Sequence, residues 1–97
     1  MIYFIEANTG VTSYVKIGFS RSPLQRLAEL QTGCPILLRL MFTIFGDETT
    51  ESNLHRRFSE YAVRGEWFLN DGGLRTYVER QLWLNPSDEK TGIDNLV

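Results

Sequence analysis

The sequence contains one cysteine, Cys34, and one histidine, His55. A lone cysteine excludes a disulfide within the chain and any cysteine-rich zinc site, and it fits a reducing cytoplasm. A lone histidine excludes a two-histidine metal site. No apolar run is long enough to span a membrane. The longest candidate, Ile36 to Phe45, is interrupted by Arg39 and is about half the length a helical span needs, so no membrane partner is expected. The opening MIYFIEAN has no basic segment and reaches Glu6 at once, unlike a secretory signal. A cytoplasmic location is the expectation. Internal repeats and low-complexity blocks are absent, and so is a strong charge of either sign. A net charge of -2 argues against strong non-specific binding to nucleic acid.

What is present is the composition of a small soluble domain. A chain of 97 residues points to one domain with a modest core. The charge is unevenly spread. From Lys16 to Arg64 there are seven Lys/Arg against five acids, and from Gly65 onward three against six. The middle is basic and the end acidic. Residues 1–84 read as a single domain. Residues 85–97, NPSDEKTGIDNLV, read as a polar acidic tail, punctuated by Pro and Gly and loosely attached.

Within the domain, IYFIE (2–6) and YVKIGF (14–19) read as strands of a hairpin around the turn formers ANTGVTS. Alternation puts Ile2 and Phe4 on one face and Tyr3 and Ile5 on the other. Val15, Ile17 and Phe19 share a face; Tyr14, Lys16 and Gly18 share the opposite one. A tight turn at Thr9-Gly10 predicts Tyr3 opposite Lys16 and Ile5 opposite Tyr14. A first helix opens with Ser22 as N-cap, Pro23 at the first position and Gln25 to close a capping box. It shows Leu24, Leu27, Ala28 and Gln31 on one face, with Leu30 beside it, and stops at Gly33-Cys34-Pro35. ILLRLMFTIF (36–45) reads as a long central strand buried on both faces for part of its length. A second helix is predicted from Thr49 to Tyr61, with Leu54, Phe58, Tyr61 and Ala62 apolar. EWFL (66–69) reads as a short strand or corner. A third helix, Leu74 to Leu84, is capped by Asn70 or Asp71 and turns Tyr77, Val78, Leu82 and Trp83 inward.

Three features break this pattern where a core is expected. Lys16 shares a sheet face with Tyr3. Arg26 lies on the first helix. Glu51 and His55 fall on the apolar stripe of the second helix, because 51, 54, 55 and 58 follow the i, i+3, i+4, i+7 spacing. Buried charges are costly unless paired or functional. These side chains either pair with one another or make a phosphate-ester site. In such a site Arg and Lys hold the phosphate and its developing charge. A carboxylate holds a hard metal such as magnesium, and a tyrosine hydroxyl relays a proton. His55 is either a satisfied core residue or, four residues after Glu51, a proton shuttle or an orienter of the metal's water shell. Trp67 and Phe68 read as core or rim aromatics. Arg21, Arg56, Arg57 and Arg64 are candidate contacts to a DNA backbone, or else solvated surface arginines.

In order and spacing these pieces resemble the GIY-YIG nuclease superfamily. The first motif corresponds to Ile2-Tyr3 and the second to Lys16-Ile17-Gly18. The arginine eight residues after that glycine is Arg26, and the metal-binding glutamate is Glu51. The set KIGFS, QRLAELQTGCP, ESNLHRRF and GEWFL is similar to a small, largely phage and bacterial branch with a KIG second motif and a late GEWF motif. The resemblance implies an α/β (α+β) fold, a three-stranded antiparallel sheet flanked by helices in the order β-β-α-β-α, here with a third helix. It implies a DNA endonuclease that hydrolyses phosphodiester bonds with Mg2+ or Mn2+. Tyr3 would act near the attacking water, Arg26 on the scissile phosphate and Glu51 on the metal. The chain departs from the wider superfamily in three places. Lys16 stands for the second-motif tyrosine, Leu30 for a later His or Tyr, and a late asparagine has no counterpart. Glu66 is a candidate to take that asparagine's place near the metal.

Two other classes of function remain open at this stage. One is a catalytically weak module of the same fold that binds DNA or a host protein, with a protein partner supplying DNA affinity. The other is a structural subunit whose basic residues make oligomer contacts.

Overall fold

The computed structural model describes residues 1–84; the predicted acidic tail lies outside them. Its elements run β1 (Ile2–Asn8), β2 (Ser13–Phe19), α1 (Pro23–Gln31), β3 (Leu38–Ile44), α2 (Glu48–Arg57), a 3-10 turn (Ser59–Tyr61), β4 (Ala62–Arg64), β5 (Trp67–Leu69) and α3 (Gly72–Leu84). The class is α+β as expected, but the sheet has five strands, not three. Its order is β3-β1-β2-β5-β4, and each neighbouring pair is antiparallel.

Both faces of the sheet are covered, which is why β1 reads as an unbroken apolar run. Ile2, Phe4, Val15, Ile17, Phe42 and Phe68 form one core with Leu54 and Phe58 of α2 and Leu74 and Val78 of α3. The Phe4 and Phe42 rings stack at 4.4 Å. On the other face Tyr3, Ile5, Ala7 and Leu38 pack beneath Leu27 and Leu30 of α1. The β1–β3 register shifts between Phe4 and Ile5. Phe42 lies opposite Phe4 and Leu40 opposite Ile5, so Met41 is the extra residue of a bulge.

The faces of the hairpin are those predicted, but its register is not. Tyr3 lies opposite Gly18, Ile5 opposite Lys16 and Ala7 opposite Tyr14. The turn is wider than Thr9-Gly10. The Thr9 backbone N–H donates to Thr12 O, the Thr12 N–H to Thr9 Oγ1, and the Gly10 N–H to Asn8 Oδ1. Those bonds close a loop over residues 9–12, and Gly10 takes the positive φ it needs. The slip is two residues, and a side-chain period of two returns every residue to its own face.

Helix boundaries also differ. Ser22 precedes α1 but makes no capping hydrogen bond, so the predicted capping box with Gln25 does not form. Ser20 Oγ instead accepts from the Ser22 N–H. Leu24 and Ala28 face solvent, and the packed face is Leu27, Leu30 and Gln31. The Gln31 carboxamide accepts from the Leu38 N–H and donates to Ile36 O, tying the helix to the start of β3. The α2 capping box belongs to Asp47 and Thr50. That helix stops at Arg57, four residues short of expectation. Ala62 is exposed in β4, and Trp83 is 82% exposed rather than inward.

Candidate functional site

The polar residues singled out in the sequence converge where β2 outruns β5. Trp67 pairs with Lys16, and the Glu66 carbonyl extends the ladder by one bond, from the Ile17 N–H at 3.1 Å. Beyond that point the edge of β2 has no strand beside it. Two side chains of α2, one helical turn apart, take the strand's place. His55 Nε2 lies 2.7 Å from Ile17 O, and because a carbonyl only accepts, this nitrogen is the donor. The Glu51 carboxyl accepts from the Phe19 backbone N–H. His55 also packs edge-on against Phe68, with ring centroids 5.1 Å apart.

Tyr3 enters from β1. Its residue surface is 1% exposed, and its hydroxyl lies over Gly18. An added Cβ at Gly18 would run into the tip of the Tyr3 ring and stand 3.0 Å from Glu66 Oε1. The group that needs the missing side chain is therefore Tyr3, across the β1–β2 pair. Arg26 of α1 reaches the same place, and its guanidinium acts on the Tyr3 hydroxyl. Its guanidinium also contacts Glu29 at 3.3 Å, with the arginine side chain 44% exposed. Burial pushes the Tyr3 phenol up; Arg26 pulls it partly back, and the charge of Glu66 adds to the rise. At neutral pH Tyr3 is a phenol, not a phenolate.

Lys16 is also accounted for. Its side chain is 11% exposed, with Nζ 3.4 Å from Glu66 Oε1 and 5.4 Å from the centre of the Trp67 ring. Glu66 is the residue that sequence reasoning undervalued. It touches Lys16, its charge acts on Glu51, and it borders Gly18. Its only signal in the sequence was its place in GEWF. Asn70 lies away from this cluster. It bonds Ser13 by its backbone N–H and by its side chain.

The Glu51 carboxyl is raised above its ordinary 4.5. Burial is the first cause and the neighbouring Glu66 the second, opposed by His55 and the Phe19 N–H. A carboxyl whose folded pKa is raised binds its proton more tightly in the folded chain. Its contribution to stability is complete below the unfolded pKa and is lost as pH rises through the folded one. Glu51→Gln is therefore expected to raise Tm at neutral pH by a few degrees, about the effect of 1 kcal/mol in a domain this size. The gain should vanish well below pH 4.5. Thermal melts of both proteins across that range check this; a gain that persists in acid would show a cause other than charge.

The four candidate DNA contacts separate. Arg21 and Arg26 line one concavity of about 250 Å³ with Ser20, Ser22, Gln25 and Glu29. Arg57 is engaged elsewhere, its guanidinium 5.0 Å from the Phe58 ring and 5.1 Å from the Tyr77 ring. Arg56 donates to Asn53 on the surface of α2, and Arg64 is exposed on β4 at the rim of the sheet. A second concavity, about 710 Å³, lies between α1 and β3, is lined mainly by apolar residues such as Leu27, Leu38 and Met41, and contains none of the clustered residues but for the helix that carries Arg26. No described helix is long and apolar enough to cross a membrane.

The fold is a small α+β domain, and the family model that the sequence matches is of GIY-YIG-like, nuclease type. Within that class the chain belongs to the T5orf172 domain family, whose model matches residues 1–82. No curated protein and no solved structure matches the chain.

Proposed function

We propose that the chain is a metal-dependent endonuclease that hydrolyses DNA phosphodiester bonds. The observation that carries this reading is the Tyr3 hydroxyl, held over Gly18, with the Arg26 guanidinium and the Glu51 carboxyl close enough to act on it electrostatically. Arg26 is charged, half exposed and presents a planar fork, which suits two oxygens of a phosphate. As the bond breaks, that fork stabilises the charge gathering on the phosphate. The neutral Tyr3 hydroxyl orients the attacking water and relays its proton. His55 fixes α2 to the edge of β2 and so sets where Glu51 stands. Lys16 adds a second positive charge on the Tyr3 side of the sheet.

The donor set suits Mg2+ or Mn2+. Among the described residues no group of three His, Cys, Asp or Glu gathers to hold a metal. Magnesium is bound through one or two carboxylates and completes its shell with water and substrate phosphate. Glu51 is the protein ligand in this reading, and the bound ion would act as a Lewis acid on the phosphate oxygens. The cationic surface at the site amounts to Arg21, Arg26 and the paired Lys16, with Glu29 among them. We therefore assign tight capture of DNA to a protein partner.

A magnesium titration of nicking, on supercoiled and branched DNA, tests the reading. Metal-dependent nicking by the wild type that Glu51→Gln lacks supports it. Equal nicking by the two proteins, or binding of DNA with no cleavage at any metal concentration, overturns it; the latter would leave a binding module.

A further inference from the structure

We infer that the concavity at the start of α1 seats the DNA backbone phosphate next to the one on Arg26, with Arg21 as its cation, and that Glu29 is a built-in carboxylate which DNA displaces from Arg26. The inference rests on the reading of Arg26 as the phosphate-holding arginine and adds to it a neighbouring seat and a competitor.

The lining of the concavity selects the chemistry. Ser20, Arg21, Ser22, Gln25, Arg26 and Glu29 enclose about 250 Å³. None of these side chains is apolar, so an apolar ligand finds no surface there, and the two guanidiniums call for an anion. Arg26 is the shared member, because it also acts on the Tyr3 hydroxyl. The concavity therefore opens from the site instead of standing apart from it. The loop that carries Arg21 is anchored. Ser20 donates its N–H to Met1 O at 2.9 Å and accepts from Met1 N at 3.1 Å, and Ser20 Oγ accepts from the Ser22 N–H at 2.9 Å. Arg21 itself is exposed, and among the described residues no carboxylate pairs with it. An unpaired guanidinium on a fixed loop, beside the arginine of the site, is a ready contact for a second phosphate.

An anion already meets two of the donors. Glu29 Oε1 accepts from Arg26 Nη1 at 3.3 Å, and Glu29 Oε2 accepts from the Gln25 amide at 3.5 Å. The two carboxylate oxygens stand where two oxygens of a phosphate would be bound. The Arg26–Glu29 pair is about half exposed on both sides, so water screens it and little is lost when it opens. A backbone that neutralises Arg21 and Arg26 together also releases its own counterions, which Glu29 cannot match. Until DNA arrives, Glu29 lowers the positive potential of the concavity.

Fluorescence anisotropy of a short labelled DNA duplex, at low salt and with a chelator in place of metal, tests this on the full chain without cleavage. Arg21→Ala is expected to weaken binding roughly tenfold and to lower the slope of log affinity against log salt by about 1. Arg75→Ala removes the same charge from α3, on the other face of the sheet, and should change neither. Glu29→Gln is expected to tighten binding about two- to fivefold. That gain should disappear in the Arg26→Ala background, where there is no guanidinium to release. Arg21, Arg26 and Glu29 are exposed, so their replacement leaves the core intact. No binding by the wild type, unchanged affinity and salt slope in Arg21→Ala, or an equal loss in Arg75→Ala would overturn the inference. So would a Glu29→Gln gain that survives without Arg26. Nicking in magnesium on the same preparations keeps the two readings apart. The expected binding pattern in a protein that never cuts DNA would support this inference and sink the nuclease. Nicking that needs Arg26 and Glu51, with DNA affinity indifferent to Arg21 and Glu29, would do the reverse.

Discussion

Arg26→Ala is expected to lower magnesium-dependent nicking by about 100- to 1,000-fold, the usual effect of removing one group that stabilises transition-state charge. Glu51→Gln should fall by the same order. What makes Arg26 diagnostic is its weak hold on the fold. Helix α1 buries no residue fully, and the Arg26–Glu29 pair is half exposed on both sides. Exposed pairs of this kind contribute about 0–1 kcal/mol. The Tyr3 hydroxyl loses the guanidinium in the variant, but the side chain that leaves opens it to water. Tm should therefore move by a few degrees while activity collapses. Arg26→Lys should recover only part of the loss, because an ammonium keeps the charge but not the planar fork. Nicking rates and thermal melts on the same preparations check the prediction. A fall in activity matched by general unfolding would remove Arg26 from the phosphate role.

Gly18→Ala is expected to destabilise the fold strongly. The new Cβ would meet the Tyr3 ring tip and come to 3.0 Å from Glu66 Oε1. The tyrosine has no room to retreat. Tyr3 is 1% exposed within the Ile5, Ala7 and Leu38 cluster, and β2 is held between β1 and β5. Overpacking of this kind costs about 1–3 kcal/mol, which at this size lowers Tm by roughly 5–20 °C. A double-mutant cycle with Tyr3→Ala identifies the cause. If the clash is with Tyr3, the second substitution should absorb the methyl, giving a coupling energy of at least about 1 kcal/mol. Additive effects would mean that Gly18 is needed for something other than the tyrosine. Activity should fall further than stability, since the displaced hydroxyl is the one Arg26 acts on.

The hairpin shows what periodicity can and cannot deliver. Alternation in IYFI and YVKIGF places every side chain on its proper face. It does not place Tyr3 opposite Gly18, because a two-residue slip leaves the faces unchanged. The choice between registers is made by the loop, through bonds from Asn8 and Thr9 to the backbone of residues 10–12. Strand β4 was not legible for a different reason. Three exposed residues carry no alternation, and its pairing with β5 depends on Gly65 turning the chain at a φ of 57°. Trp83 was placed inward by its hydrophobicity, yet α3 meets the sheet through Leu74 and Val78. Leu82 still packs against that core, whereas Trp83 and Leu84 at the end of the helix face solvent.

The sequence by itself determined the α+β class, the faces of the β1–β2 hairpin and the residue types of the site, but not that residues 38–44, read as a central strand, form the sheet's edge. Those follow from local spacing, which is where side-chain periodicity and motif order reside. Only the tertiary structure decided that Glu66 meets Lys16, that Gly18 yields to Tyr3, and that Arg57 is spent on α3. Each of those contacts joins residues from different elements. The Glu66 contacts in particular exist because β5 lies beside β2 in the sheet. A pairing between residues 16 and 67 leaves no mark on either segment alone, since its free energy appears only when the two strands meet.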